Sequence, residues 1–198
     1  VLAIVACAAV VSPGLRRQAY GCEKPVTTST LTGHKIWGGT HDVTYSHVRF
    51  EGYSGSSPNS WTCLYMAVNA GHPGSIHDIT FDHCVFATLP AGIEGNGVHM
   101  WNSSRTGKTI YNITFRDCWF EPQPRMQIEM NGRGGWWHDV TIDHCTFEPS
   151  GSQMISCDMS PGDYTPTSPY GVKVAGTVRG VEGLRITGCD LRGTGAVV

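Results

Sequence analysis

Charged residues are scarce in this sequence: 14 Lys and Arg and 16 Asp and Glu among 198 residues, with a formal net charge of -2. It has no run or stripe of basic residues, the usual footprint of nucleic-acid binding. It has no apolar run long enough to cross a bilayer and no CxxC spacing of a structural zinc site. These absences argue against a nucleic-acid-binding domain, a helical membrane protein and a zinc ribbon.

Turn-forming residues are abundant instead, with 25 Gly and 11 Pro. Many short strands joined by tight turns need such residues, whereas long surface helices need more charge. The composition therefore favours an all-β domain.

The first 21 residues differ from the rest of the chain. Residues 1–11 are apolar throughout, which is the length of a signal-peptide core, and Ala19-Tyr20-Gly21 offers a small-x-small cleavage pattern. Arg16-Arg17 stand where a cleavage region is normally uncharged, and no basic segment precedes the apolar stretch. Two interpretations stay open for residues 1–21, a remnant export signal or an N-terminal cap, and residues 22–198 form the main domain.

A ten-residue unit recurs five times, and such repeats decide the fold. The copies start at spacings of 36, 34, 27 and 44 residues, at His41, His77, Tyr111, His138 and Glu182. A constant unit with connections of variable length is typical of a solenoid.

Each unit alternates apolar and polar residues, as a strand with one buried face does. A bend column follows, and its residue types tolerate positive φ: His47, His83, Asp117, His144 and Gly188. We expect this column to turn one strand into the next, so its histidines have a structural role and no metal ligand is assigned. The next columns, Val48/Cys84/Cys118/Cys145/Cys189 and Phe50/Phe86/Phe120/Phe147/Leu191, should point inward and stack.

The unit V-T-[FI]-x-[HD]-C-x-F resembles the right-handed parallel β-helix repeat of the pectin-lyase-like superfamily, over about residues 32–194. The resemblance implies a right-handed parallel β-helix of about five to six coils. That superfamily includes polysaccharide lyases, epimerases, glycoside hydrolases and phage tailspikes, so it leaves the reaction open.

Four of the eight cysteines share the inward column, so we expect them to be buried thiols. Stacked parallel Cβ vectors do not suit a disulfide. Outside that column, Cys22–Cys63 is the best candidate for a bridge.

Candidate catalytic residues lie on a second set of strands, upstream of the units. Aligning these strands on Asn69, Asn102, Asn131 and Ser160 places Glu129 beside Asp158 on the outer face. Two adjacent carboxylates raise one pKa or share a cation, which suits acid–base chemistry on sugars. His99 falls in an inward column in this alignment. A one-residue slip would reverse which side chains face outward.

Candidate substrate-binding residues are Arg125 and Arg133, which could hold an acidic sugar, together with Tyr65, Trp119 and Trp137. Trp119 is expected in an outward column and Trp137 in a loop before the fourth unit. Outward polar residues also occur on any solvated sheet, and a single Trp more often packs than binds a ligand.

The expected function is that of a secreted or cell-surface domain that binds or processes an acidic polysaccharide. If the protein is an enzyme, the resemblance implies a lyase, epimerase or hydrolase, with Ca²⁺ as the one cofactor to consider. The alternative is a non-catalytic structural or adhesive β-helix, and the chain fits a piece of a longer protein.

Overall fold

The computed structural model describes residues 23–52, 61–103, 107–133, 137–152, 154–160 and 181–192. The earlier part of the chain, including the candidate signal or cap and Cys22, lies outside this range. The described residues form the strands β1 Ser29–Thr32, β2 His34–Trp37, β3 His41–Ser46, β4 Val48–Glu51, β5 Thr62–Val68, β6 Ile76–Asp82, β7 Val85–Phe86, β8 Asn96–Asn102, β9 Ile110–Arg116, β10 Trp119–Phe120, β11 Ile128–Arg133, β12 Trp137–Asp143, β13 Thr146–Phe147, β14 Ile155–Ser160, β15 Val181–Glu182, β16 Arg185–Thr187 and β17 Asp190–Leu191. No helix able to span a membrane occurs among them.

The strands stack into three parallel sheets. Sheet A has the order β1-β4-β7-β10-β13-β17 and sheet B the order β14-β11-β8-β5-β2. Sheet C has the order β15-β12-β9-β6-β3, with β16 also paired to β12. Each coil contributes one strand per sheet, so the chain passes from B to C to A before climbing one rung. The predicted parallel β-helix is confirmed, while its right-handed sense stays a prediction.

The hydrophobic axis lies between the sheets. Phenylalanine rings stack through it from Phe50 to Phe86, Phe120 and Phe147, with centroid distances of 5.1, 4.7 and 4.4 Å. All four rings are fully buried. Like residues can stack at every rung because parallel strands lie about 4.8 Å apart.

The bends between sheets C and A adopt the predicted left-handed conformation. The φ angles of His47, His83, Asp117, His144 and Gly188 are 55°, 52°, 52°, 50° and 60°. Cys84, Cys118, Cys145 and Cys189 come next, and all four are buried free thiols. Each donates to a carbonyl oxygen of the preceding coil, as Cys118 Sγ does to Phe81 at 3.3 Å. Cysteine therefore supplies a small apolar group together with a weak donor at the corner.

A second left-handed column lies inside the sheet C strands, at Asp42, Asp78, Asn112, Asp139 and Gly183. It interrupts the pairing on both strands at the same height, because His77 pairs with Tyr111 and Ile79 with Ile113 while Asp78 and Asn112 are both skipped. The left-handed residue lets Ile76 and Ile79 both face inward although they are three positions apart. Trp137 and Val140 are related in the same way. Trp137 is therefore a fully buried strand residue, and the prediction that it lies in a loop is wrong.

The expected Cys22–Cys63 bridge is also not formed. Cys63 is a free, fully buried thiol whose Sγ donates to the Ala87 carbonyl at 3.0 Å. The weakly polar Cys63 thiol lies between β5 and the segment that follows β7. Burial raises the pKa of the Cys63 thiol to about 12, so the thiol stays protonated.

An ion-pair network covers part of sheet A. Arg49 contacts both oxygens of Glu121 at 2.9 and 3.3 Å, and its Nε donates to Glu51 at 3.1 Å. The Thr88 amide donates to Glu121 at 2.8 Å, and Lys24 also pairs with this carboxylate. Burial opposes ionisation of Glu121, but the hydrogen bonds from Arg49, Lys24 and Thr88 outweigh it and lower its pKa to about 2.

The bend column makes a prediction about side-chain tolerance at His144. The substitution His144→Val should leave the protein less stable than His144→Gly by roughly 1–2 kcal/mol, because only glycine adopts positive φ without strain. Urea unfolding of the two variants measures the difference. At the extended position Thr141 in the same strand, the order of Val and Gly should reverse. Equal stability of the two His144 variants would contradict the assigned bend.

Glu121 makes a prediction about pH. Its pKa lies below the ordinary 4.5, so its stabilisation is fully present above pH 4.5 and is lost as the pH falls towards 2. Glu121→Gln should cost about 2 kcal/mol at pH 7, after allowance for solvent screening, and this difference from wild type should vanish near pH 2. Urea unfolding across this pH range tests it, with the exposed Glu23→Gln as control. A difference that stays constant with pH would be evidence against the network.

Candidate functional site

The outer face of sheet B carries the least uniform side chains of the fold. One column consists of Lys35, Tyr65, His99, Glu129 and Ser156. The neighbouring column consists of Trp37, Ala67, Trp101, Asn131 and Asp158. The residues between these columns, Ile36, Met66, Met100 and Met130, are buried in the core. We name these two outward columns the sheet B face.

The register of sheet B differs from the sequence-based alignment by one residue between β5 and β8 and between β8 and β11, and by two residues between β11 and β14. Glu129 pairs with Ser156, and Asp158 pairs with Asn131. The predicted placement of Glu129 directly beside Asp158 is therefore wrong, although the catalytic role assigned to each stays a prediction. The side chain of Asp158 lies outside the described residues.

The slip has a clear physical cause. The asparagines used for alignment do not occupy one column: Asn102 pairs with Val68, whereas Asn131 pairs with Trp101. The strands of sheet B end at different points because their loops differ in length. Stacking of the inward methionines sets the register instead. The one-residue shift of β8 moves His99 from the expected inward column to the sheet B face.

Glu129 is the centre of a buried polar network. Its residue is only 5% exposed, yet both carboxylate oxygens accept hydrogen bonds from amide groups. Asn96 Nδ2 donates to Oε2 at 2.6 Å, and Asn131 Nδ2 donates to Oε1 at 2.8 Å. Two such bonds satisfy polar oxygens that burial would otherwise leave without partners.

His99 joins this network through Asn131. His99 is 3% exposed, and its Nε2 lies 2.7 Å from Asn131 Oδ1 and 3.6 Å from Glu129 Oε2. Because the Asn131 amide nitrogen donates to Glu129, its oxygen must accept from His99, so Nε2 carries the proton. Nδ1 is then the ring nitrogen left for other contacts.

A strip of aromatic rings that includes His99 runs across the sheet B face. Successive centroid distances are 5.1 Å from His72 to Trp37, 5.8 Å to Tyr65, 5.3 Å to His99 and 6.1 Å to Trp101. Most of these contacts are edge-to-face, a favourable geometry for aromatic pairs. Burial raises the pKa of the Tyr65 hydroxyl, which therefore keeps its proton at neutral pH.

The exposed end of the strip is Trp37. It is 41% exposed, and Lys35 Nζ lies 5.7 Å from its ring centroid. Ala67, a small and buried residue, separates Trp37 from Trp101 in their column. The strip therefore combines apolar ring surface with a cation at one end.

Of the substrate-binding residues predicted from the sequence, some lie on the sheet B face and others lie elsewhere. Tyr65 belongs to the sheet B face. Trp119 occupies the expected outward column of sheet A, but it is 7% exposed and the Arg192 guanidinium covers its ring at 4.7 Å. Arg125 is partly exposed in the segment between β10 and β11. Arg133 ends β11, and its side chain lies outside the described residues.

Sequence reasoning missed Lys35, Trp37, Asn96, Trp101 and His99 as parts of one site. Lys35 and Trp37 flank the inward Ile36, and this alternation is the signal that could have found them. Asn96 could not be found in this way, because its contact with Glu129 joins the start of β8 to the middle of β11.

The buried network predicts strong coupling between its members. Asn131→Leu removes the donor to Glu129 and the acceptor from His99, so it should lower the free energy of unfolding by about 2–3 kcal/mol. In a double-mutant cycle with Glu129→Gln, the two costs should not add, with a coupling energy of at least about 0.5 kcal/mol. Chemical denaturation of the four proteins provides the measurement, and strictly additive costs would contradict the hydrogen-bond pattern.

Comparison of the chain with protein-family models, with curated proteins and with solved structures gave no match. The parallel β-helix is thus established by its strand pairing and not by kinship. Because such a fold hosts many activities, function has to be argued from the sheet B face.

Proposed function

We propose that the sheet B face binds an acidic polysaccharide, and that the protein is a secreted or cell-surface β-helix domain of the pectin-lyase-like type. The aromatic strip from His72 to Trp101, with Lys35 beside it, is the observation that carries this proposal. Apolar ring faces stack against the CH faces of sugars, and a lysine ammonium attracts a uronate carboxylate. The extracellular location rests on the apolar residues 1–11.

The division of exposure supports binding by the outer part of the face. Trp37 is 41% exposed and can meet a ligand directly, whereas Glu129 and Asn96 are buried. Buried, fully bonded polar groups are rigid supports. The network of Glu129, Asn131 and His99 therefore holds the aromatic rings in a fixed arrangement, which lowers the entropic cost of binding.

A second candidate function is processing of the same polymer. The observation in its favour is the chain of hydrogen bonds from His99 through Asn131 to Glu129, which orients an imidazole beside the Tyr65 ring. In such an enzyme His99 would be the base and Tyr65 the acid. Glu129 would hold the network and Asp158 would lie one column away, with Ca²⁺ as a further ligand for uronate carboxylates. The burial of His99 instead favours the alternative of a non-catalytic structural or adhesive segment.

Binding is tested by affinity electrophoresis in gels that contain pectate, alginate or a glycosaminoglycan. Trp37→Ala should weaken binding about tenfold, the loss expected when about 1.4 kcal/mol of ring contact is removed. Lys35→Gln should weaken binding at low salt and make it less sensitive to salt. Tyr111→Ala, which removes a ring from sheet C, serves as the matched control and should bind as wild type does.

The same proteins separate the candidate functions. Retained binding with no new absorbance from unsaturated uronates, with and without Ca²⁺, would favour a binding module over a lyase. Loss of such absorbance in His99→Gln, but not in Glu129→Gln/Asp158→Asn, would move the catalytic role to His99. Absence of binding to all the polymers would refute the proposed function and leave the structural alternative.

A further inference from the structure

A group of potential metal ligands lies at the corner where sheet C turns into sheet A. This corner is separate from the sheet B face. Asp82 ends β6, His83 forms the bend after it, and Asp117 forms the bend one coil further on. One donor atom from each residue lies within 4.8 Å of the others. All three residues are partly exposed, so water can reach the group and complete a coordination shell.

Only one corner brings three donors together in the described part of the chain. Two coils further on, Asp143 and His144 repeat the arrangement of Asp82 and His83, but Gly188 occupies the position of Asp117. Glycine has no donor side chain. The two corners are therefore a natural pair, one with a third ligand and one without.

The backbone presets the geometry of these ligands. His83 and Asp117 both have φ of 52°, and stacking of the bends places their side chains one above the other. His83 Nδ1 already lies 3.2 Å from Asp82 Oδ1.

We propose that Asp82, His83 and Asp117 bind a divalent transition-metal ion, for which Zn²⁺ is the best match, and that the ion links two successive coils. One imidazole and two carboxylates form a mixed nitrogen and oxygen donor set, which suits Zn²⁺. Ca²⁺ and Mg²⁺ prefer oxygen ligands only. With three protein ligands, a water molecule fills the fourth position of a tetrahedral site.

Arg116 is the internal competitor for this site. Its Nε donates to Asp82 Oδ1 at 2.9 Å, and its side chain is 53% exposed. An exposed guanidinium can swing into solvent when a cation arrives, and Asp82 keeps a second oxygen for the ion. Because Arg116 adds positive charge, it lowers the affinity of the site for metal.

The proposal is tested by calorimetric titration of the whole protein with zinc chloride, with thermal unfolding as a second readout. Wild type should bind one ion at this site, and its melting temperature should rise with zinc concentration. His83→Asn and Asp117→Asn keep residues that accept positive φ, so both should still fold. Each should weaken zinc binding by at least about tenfold.

Two further variants complete the test. Arg116→Gln should bind zinc several-fold more tightly than wild type, because it removes the competing charge. The control Asp143→Asn/His144→Asn, two coils away from Asp82 and His83, should bind as wild type does. The proposal is overturned if His83→Asn keeps wild-type affinity, if the control loses binding equally, or if Ca²⁺ binds as tightly as Zn²⁺.

Discussion

The left-handed bend after each sheet C strand is the constraint on which the rest of the structure depends. At His47, His83, Asp117, His144 and Gly188 the chain turns from sheet C into sheet A with φ between 50° and 60°. Because the same bend recurs at every rung, the next residue always points into the core. The cysteine and phenylalanine stacks follow from this repetition, since each coil presents the same side chain at the same height.

Repetition also divides the surface into two kinds of face. Sheet C presents nearly uniform outward columns, such as the stacked rings of His41, His77, Tyr111 and His138, with centroid distances of 4.9, 4.8 and 4.7 Å. Uniform columns stabilise the packing of one coil on the next, because each side chain contacts a similar side chain. The sheet B face instead combines lysine, aromatic, imidazole, amide and carboxylate groups. Such variety adds nothing to regular stacking, which makes this face the place to expect a function.

The buried polar network explains how a varied face can coexist with a regular core. Glu129 would be costly below the surface without partners, but Asn96 and Asn131 supply two amide donors. His99 is linked to Glu129 through Asn131, so the network spans neighbouring coils. A network of this kind is stable only when every member is satisfied, which makes the exact register of sheet B essential.

The sequence by itself determined the repeat, the parallel stacking, the positive-φ bends and the buried cysteine column. These follow from local residue types that recur at equivalent positions, and local preferences can be read from one chain. Tertiary structure alone decided the register of sheet B, because stacking of Met66, Met100 and Met130 sets it. The loops between these strands differ in length, so the spacing along the sequence does not give the register. It also decided the position of Trp137, since the left-handed conformation of Asp139 breaks the period of two and places this ring in the core.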